Sequence, residues 1–123
     1  HPEEEDLGYL YGTILTDGGS GRGGSPSANV CVFADEQVDR SPTGSGVTAR
    51  MALAAARKEI KPGETCQFES VTGAIFNGKI AQETKTGPYD AVRVEVAGRA
   101  YYSGTAEFTF EEDDPLGGGF LLR

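Results

Sequence analysis

The sequence predicts an α+β domain in which an antiparallel, barrel-like sheet curls around one central apolar helix. Residues 47–56 are the strongest helical segment, and only Thr48 and Arg50 interrupt its small or apolar residues. About seven other segments have the alternation or the β-branched and aromatic content of strands. The strand pattern alone also permits a β-sandwich. An apolar helix needs cover on several sides, however, and this favours the wrapped arrangement.

Length and charge limit the classes of function. The chain has 123 residues, enough to bury a core of its own, and we treat residues 1–123 as a single domain. A formal net charge of -8 disfavours binding to nucleic acid or to an anionic membrane, because both are negatively charged. No apolar run is long enough to span a bilayer, and the acidic N-terminus is unlike a signal peptide. We therefore expect the chain neither to bind nucleic acid nor to associate with a membrane.

The two cysteines, Cys31 and Cys66, lie in strand-like segments without metal-ligand spacing. This pattern favours buried structural thiols in a reducing compartment, which indicates a cytoplasmic location; a disulfide and a nucleophilic role are the alternatives. His1 is the only histidine and is terminal, so no histidine-based metal site or triad is expected within the chain. We expect neither a metal nor a cofactor.

The N-terminal part is predicted to hold a turn, a strand and a loop. Acidic residues in 2–7 favour a single helical turn, and residues 9–16 carry the side chains of a strand. Residues 18–27 are rich in Gly and Ser, which is typical of a flexible loop. This loop contains a G-x-G-x-x-G pattern, but a strand follows it instead of the helix that dinucleotide binding requires. We therefore do not predict dinucleotide binding.

Strand patterns also surround the helix. Residues 30–34 are a compact apolar strand before it, and Pro62 and Gly63 end the helical region. Residues 65–70 are the next predicted strand. Asn77-Gly78 then separates two short apolar segments, which predicts a hairpin turn at these two residues.

The C-terminal part is predicted to continue the antiparallel sheet. Residues 91–96 alternate valines with charged side chains, and a turn at Gly98 leads into predicted strands at 99–102 and 105–110. Residues 111–123 form an acidic turn, a glycine hinge and a short apolar end. Acidic runs are usually solvated, so we favour a surface tail over a metal site.

A polar turn at residues 39–46 precedes the helix and is the candidate site. Backbone N–H groups at its glycines, together with the helix dipole, favour binding of a carboxylate or a phosphate. Asp39 can accept a hydrogen bond from a ligand amine, and Thr43 can present a hydroxyl to the reacting atom. No base accompanies Thr43, so it is a poor nucleophile. The alternative is a well-capped buried helix that binds nothing.

The turn reads Asp-Arg-Ser-Pro-Thr-Gly-Ser-Gly and resembles the second active-site motif of the proline racemase family, in which cysteine occupies the position of Thr43. Threonine there resembles the trans-3-hydroxy-L-proline dehydratase branch of the family. Residues 10–17, 32–38 and the tail are similar as well, so the resemblance covers the chain outside the glycine-rich loop. The family's first cysteine, in a Met-Cys-Gly-His motif, is not in this sequence.

The resemblance implies a fold like that of diaminopimelate epimerase, with two similar domains whose helix starts bind the substrate carboxylate between them. Our chain then corresponds to the C-terminal half and needs the N-terminal half as a partner. A cysteine outside the chain removes the α-proton, the 3-hydroxyl of trans-3-hydroxy-L-proline leaves, and the enamine tautomerises to pyrroline-2-carboxylate. We expect the isolated chain to be inactive, and we expect its uncovered apolar surface to favour self-association, as in a homodimer.

The resemblance also assigns roles to residues of the turn. Asp39 is expected near the ring nitrogen of the substrate, the N–H groups of Gly44 and Ser45 on its carboxylate, and Thr43 opposite the cysteine. Arg40 is a possible organiser of the loop through an ion pair. Two rival functions remain: a racemase or epimerase, against which Thr43 argues, and a non-catalytic domain that binds a small amino acid.

Overall fold

The computed structural model describes residue 1 and residues 3–122 and confirms the predicted α+β class. Pro2 of the predicted first turn and Arg123 of the predicted tail lie outside the described residues. One α-helix and six strands follow a short 3-10 helix, Glu5–Leu7. Their bounds are β1 Gly12–Thr16, β2 Ser27–Phe33, β3 Gln37–Val38, α1 Gly44–Ala56, β4 Thr65–Glu69, β5 Ile75–Thr86 and β6 Tyr89–Ala97.

The strands form one mixed sheet in the order β1-β2-β4-β5-β6, with β3 beside β2. The prediction of a fully antiparallel sheet is wrong at one pairing, because β2 and β4 run parallel and pair Ser27 with Phe68. Helix α1 lies between these two strands in the sequence, and a helical crossover is the connection that parallel strands require. Within the described residues the sheet is open, with β1 and β6 at its edges.

Helix α1 packs on β5 and β6 through one side. Val47 and Met51 are buried there, in a core completed by Ile60, Cys66, Phe68 and Ile80. Leu53, on the same helix, is 49% exposed, so the prediction of a helix covered on several sides is wrong for the described chain. The open sheet covers only the side of the helix that faces it. None of the helices in the described part of the chain is long and apolar enough to cross a membrane.

Asn77-Gly78 lies inside β5, so the predicted hairpin turn at this position is wrong. A Cβ atom on Gly78 would lie 2.9 Å from Cγ of Met51 and 3.0 Å from Cγ1 of Val47. The glycine therefore allows the helix to approach the strand closely, which is a known use of glycine within strands. The hairpin instead turns between Thr86 and Tyr89.

The predictions for the C-terminal part had mixed outcomes. The alternation in β6 is confirmed, since Val92, Val94 and Val96 pack against the core while Arg93 and Glu95 are exposed. The predicted strands at 99–102 and 105–110 are wrong, because neither segment joins the sheet. Apolar side chains of both segments face solvent. A strand-like pattern forms no strand where no edge pairs with it.

The glycine-rich loop makes specific contacts with the body of the domain. The backbone N–H of Gln67 donates to the carbonyl of Gly21 at 2.7 Å. The Arg22 guanidinium donates to the carbonyl of Glu59, also at 2.7 Å. Gly21 is buried and has a φ of +71°, and a Cβ atom there would clash with the backbone of Gln67. These contacts attach the loop to β4 and to the segment that follows the helix.

Candidate active site

Asp39 organises the turn that leads into α1. Its Oδ1 accepts a hydrogen bond from the backbone N–H of Ser41 at 2.8 Å, and its Oδ2 accepts one from the Thr43 hydroxyl at 2.7 Å. Aspartate commonly stabilises turns by bonding to groups two residues ahead. Its own N–H donates to the carbonyl of Cys31 at 3.0 Å, which attaches the turn to β2.

Thr43 adopts a backbone conformation that is unusual for its type. Its φ and ψ are 66° and 105°, and a β-branched residue with positive φ is an outlier. Such conformations cost of order 1–3 kcal/mol and persist only where the surroundings enforce them. Strained backbone conformations of this kind cluster at functional sites, which makes Thr43 a candidate site residue.

The hydroxyl of Thr43 does not cap the helix. A threonine at the N-cap normally accepts from a backbone N–H of the first turn, but here no side-chain cap is formed and the hydroxyl donates to Asp39. The first turn consists of Gly44, Ser45 and Gly46, which provide little side-chain cover. Thr43 therefore leaves the positive end of the helix dipole available to an anion.

A cleft of about 410 Å³ opens in front of this helix start. Asp39, Thr43 and Ser45 supply polar atoms to its lining. The other lining residues are mostly apolar, namely Tyr11, Gly12, Ile14, Cys31, Phe33, Gly46 and Ala49. Such a combination of apolar walls with a few converging polar groups is typical of sites for small ligands.

The aromatic part of this lining comes from β2 and from the residue before β1. Gly12 pairs with Phe33 in the ladder, and the ring centroids of Tyr11 and Phe33 lie 5.9 Å apart. The sequence assigned both segments to strands but gave neither ring a function. Only the register of β1 on β2 brings these rings to the cleft, so no local sequence signal could have identified them.

The Asp39 carboxylate is held in its charged form. Partial burial raises its pKa, but hydrogen bonds from Thr43 and Ser41 and the charge of Arg40 together lower it below the ordinary value of 3.8. At neutral pH the site therefore has a negative charge beside the Thr43 hydroxyl. A cationic amine is the ligand group that this charge favours.

The structure brings most of the predicted site residues together. Asp39, Thr43 and Ser45 line the cleft, and Gly44 is the first residue of the helix behind them. Arg40 is exposed, and its side chain forms no ion pair within the described part of the chain. Its carbonyl accepts a hydrogen bond from the Thr72 hydroxyl at 2.8 Å, so the backbone of Arg40 connects the turn to the segment after β4.

Both cysteines are buried and free, as the sequence indicated. Burial raises the pKa of the Cys66 thiol, which lies in the core away from the cleft. Cys31 is 7% exposed and contributes to the wall of the cleft.

The proline racemase model matches residues 1–121. The chain belongs to the proline racemase family. It is 56% identical over 124 residues to human trans-3-hydroxy-L-proline dehydratase, covering 100% of this chain and 35% of that protein. The identity is 44% over 123 residues to the trans-3-hydroxy-L-proline dehydratase of Burkholderia cenocepacia (strain HI2424), covering 100% of this chain and 36% of that protein. This family member thus spans about a third of the length of the curated relatives it matches.

Solved structures agree with the fold. A hydroxyproline epimerase from Agrobacterium vitis, with bound trans-4-OH-L-proline, has a TM-score of 0.72 and 28% identity, covering 92% of this chain and 32% of that one. A probable proline racemase from Agrobacterium radiobacter K84, with bound carbonate, has a TM-score of 0.70 and 23% identity, covering 90% of this chain and 31% of that one. The second likeness concerns the fold alone.

Proposed function

We propose that this chain is the C-terminal part of a trans-3-hydroxy-L-proline dehydratase, a hydro-lyase that converts its substrate into pyrroline-2-carboxylate and water. The relatives that carry this name cover the whole chain at 44–56% identity. The observation that carries the proposal within the chain is Thr43, which presents a hydroxyl, in place of the family's cysteine, at the start of α1.

The cleft supports a specific orientation of the substrate. Its carboxylate binds at the N–H groups of Gly44 and Ser45, where the helix dipole is positive. Its ring nitrogen binds at the Asp39 carboxylate, whose lowered pKa keeps it negative at neutral pH. The carbon atoms of the ring pack against the apolar lining formed by residues such as Tyr11 and Phe33.

In the proposed reaction, a base outside this chain removes the α-proton. A double bond forms between C2 and C3 as the bond from C3 to the hydroxyl oxygen breaks, and the departing hydroxyl takes up a proton from solvent and leaves as water. The enamine then tautomerises to pyrroline-2-carboxylate, gaining a proton at C3 and losing one from the ring nitrogen. Thr43 faces the α-carbon from the other side, and the high pKa of a hydroxyl prevents it from returning a proton there at neutral pH. Dehydration therefore competes successfully with racemisation.

A substitution at Thr43 tests this role in the complete enzyme, by which we mean the polypeptide that joins this chain to the remainder implied by its longer relatives. The Thr43→Cys variant restores a thiol at the position. We expect exchange of the α-proton with solvent deuterium, and epimerisation of hydroxyproline, to appear while dehydration falls.

The Thr43→Ser variant is the matched control, because it keeps the hydroxyl and is expected to keep dehydration. If Thr43→Cys dehydrates at the wild-type rate without proton exchange, Thr43 only fills space. If the wild-type enzyme epimerises trans-3-hydroxy-L-proline and forms no pyrroline-2-carboxylate, the alternative isomerase function replaces the proposed one.

We further propose that the complete enzyme closes the open sheet into the barrel-like arrangement of diaminopimelate epimerase. Exposed apolar side chains in residues 98–122 support this, since they offer the remainder of the enzyme a surface to cover. The catalytic cysteine lies in that remainder, so the isolated chain is inactive. Dehydration by the purified chain would contradict this division. Homodimer formation and a cytoplasmic location stay predictions.

Titration of the isolated chain with pyrrole-2-carboxylate separates the enzymatic function from the binding-module alternative. This planar carboxylate resembles the deprotonated ring. We expect weak binding, because the remainder of the enzyme contributes half of the carboxylate site. Tight binding by the isolated chain, with no activity of the complete enzyme, would favour a non-catalytic amino acid binding domain.

A further inference from the structure

A buried asparagine lies directly beneath the turn that carries Thr43. Asn29, on β2, has no solvent exposure. Its side-chain Nδ2 donates a hydrogen bond to the carbonyl of Pro42, and its Oδ1 accepts one from Nη1 of Arg50 at 3.2 Å. Pro42 is fully buried as well. The side chain thus connects the turn before α1 with an arginine on α1 itself.

Arg50 is fixed from several directions, so it can hold Asn29 in one orientation. Its Nη2 donates to the Ser27 hydroxyl at 2.9 Å, and that hydroxyl donates to Oδ1 of Asp17 at 2.9 Å. Its guanidinium carbon lies 4.8 Å from the centre of the Phe68 ring. A planar, always charged guanidinium is suited to such a site because it donates several hydrogen bonds in fixed directions. The amide of Asn29 therefore has its acceptor occupied by Arg50 and its donor directed at Pro42.

These contacts bear on the backbone conformation of Thr43. The peptide between Pro42 and Thr43 is held at both polar atoms: its carbonyl accepts from Asn29, and its N–H donates to the Ser41 hydroxyl at 3.0 Å. The φ angle of Thr43 measures the rotation of that peptide relative to the Cα substituents of Thr43. A φ of 66° is unfavourable for threonine, so the residue needs contacts that prevent the peptide from rotating.

We propose that Asn29, oriented by Arg50, is a positioning residue for the dehydration reaction. It holds the peptide before Thr43, keeps Thr43 at positive φ, and thereby directs the hydroxyl of Thr43 and the N–H groups of Gly44 and Ser45 toward the cleft. The proposal rests on the proposed function for its catalytic consequence, but not for its structural one. A merely structural asparagine would stabilise the domain without determining the geometry of Thr43.

The first experiment measures kinetics of the complete enzyme with Asn29→Ala and Asn29→Asp. The aspartate keeps an acceptor for Arg50 but cannot donate to Pro42 when ionised. We expect both variants to lower kcat/KM by about 10- to 100-fold, the factor that corresponds to the backbone strain at one residue. Gln67→Leu is the matched control, because it removes a hydrogen bond to Asn77 in the sheet, remote from the turn. It is expected to lower Tm without a comparable loss of kcat/KM.

A second comparison distinguishes positioning from simple destabilisation. Glycine adopts positive φ without penalty, so in a Thr43→Gly background the affinity for pyrrole-2-carboxylate should depend much less on Asn29. In the complete enzyme, we expect Asn29→Ala to weaken the binding of pyrrole-2-carboxylate about 10-fold when residue 43 is threonine. In the Thr43→Gly background, we expect the same substitution to weaken it less than about 3-fold. Equal weakening in both backgrounds would overturn the proposal.

A third measurement is independent of the reaction. In a crystal structure of the Asn29→Ala enzyme, we expect Thr43 to have left the positive-φ region. An unchanged Thr43 would overturn the proposal whatever the kinetics. If the wild-type enzyme does not dehydrate trans-3-hydroxy-L-proline, the proposed function fails. The structural role of Asn29 is tested separately, by the φ of Thr43 in the Asn29→Ala crystal structure.

Discussion

Residues 12–97 and residues 98–122 have similar strand-like patterns but different structures. The first region forms all six strands and surrounds a core of six apolar side chains. The second forms none, and Tyr101, Tyr102, Phe108 and Phe110 are each at least 74% exposed. The match to the proline racemase family nevertheless extends to residue 121, so it covers both regions. An apolar, alternating pattern thus forms a strand only where a neighbouring strand pairs with its edge and other residues pack against its apolar face.

The difference separates what the chain stabilises by itself from what we propose the remainder of the enzyme stabilises. In the first region, helix α1 and strands β5 and β6 cover one another. In the second region the aromatic side chains have no such cover within the described chain. Substitutions should therefore have large effects in the first region and small ones in the second, as long as the chain is studied alone.

The largest effect is expected for Met51→Ala, which empties a side-chain volume in the centre of the core. Met51 is 1% exposed, and such truncations cost about 2–5 kcal/mol of unfolding free energy. Urea denaturation of the 123-residue chain measures this value. Leu53→Ala is the control on the same helix, and because Leu53 is half exposed, a much smaller loss is expected. Equal losses would mean that the helix is covered on both sides in solution.

A smaller effect is expected for Gly78→Ala, which adds a methyl group between β5 and α1. The new Cβ would lie 2.9 Å from Cγ of Met51, so the Met51 side chain or the backbone on either side of this contact must shift, and overpacking of this kind costs about 1–3 kcal/mol. Gly118→Ala is the control in the second region, where nothing lies within 4 Å of the added atom. Thermal unfolding of both variants decides the point: a Gly78→Ala variant as stable as wild type would show that this packing is loose.

The sequence predicted much of the first region because local signals were sufficient there. The alternation in β6 identified the valines that pack against the core, and the motif at 39–46 predicted a candidate site whose residues Asp39, Thr43 and Ser45 line one cleft at the start of α1. The predicted hairpin at Asn77-Gly78 failed because Gly78 is required by a helix distant in sequence. A dipeptide signal carries no information about such a neighbour.

The remaining features depend on long-range geometry and could not be predicted. Asn29 is one polar residue in a strand-like segment, and its hydrogen bond to the carbonyl of Pro42 becomes visible only when the fold places β2 beneath the turn. The parallel pairing of β2 with β4 depends on where α1 crosses the sheet. The positive φ of Thr43 contradicts the ordinary preference of threonine, so local propensity argues against it.

A pH-dependent effect of similar or smaller size is expected at Asp39. Because its folded pKa lies below 3.8, its carboxylate contributes stability that is present above that pH and is lost as the pH falls through the lowered folded value. Asp39→Asn should therefore be less stable than wild type at neutral pH by about 0.5–1.5 kcal/mol, the ordinary contribution of a hydrogen bond. Urea denaturation at several pH values measures the difference, which should shrink under acid conditions. A constant difference would mean that the charge of Asp39 is irrelevant to folding.

The smallest effect in the isolated chain is expected for Phe108→Ser and Phe110→Ser. Their side chains are 80% and 74% exposed, so each substitution should change the unfolding free energy of this chain by no more than about 0.5 kcal/mol. In the complete enzyme the same substitutions should cost more, because there we propose that the remainder covers these rings. The two stabilities are measured in parallel by thermal unfolding, with Thr105→Ser as the polar control in the same segment. Losses that match in the two forms would exclude this segment from the interface and leave its aromatic residues without a covering partner.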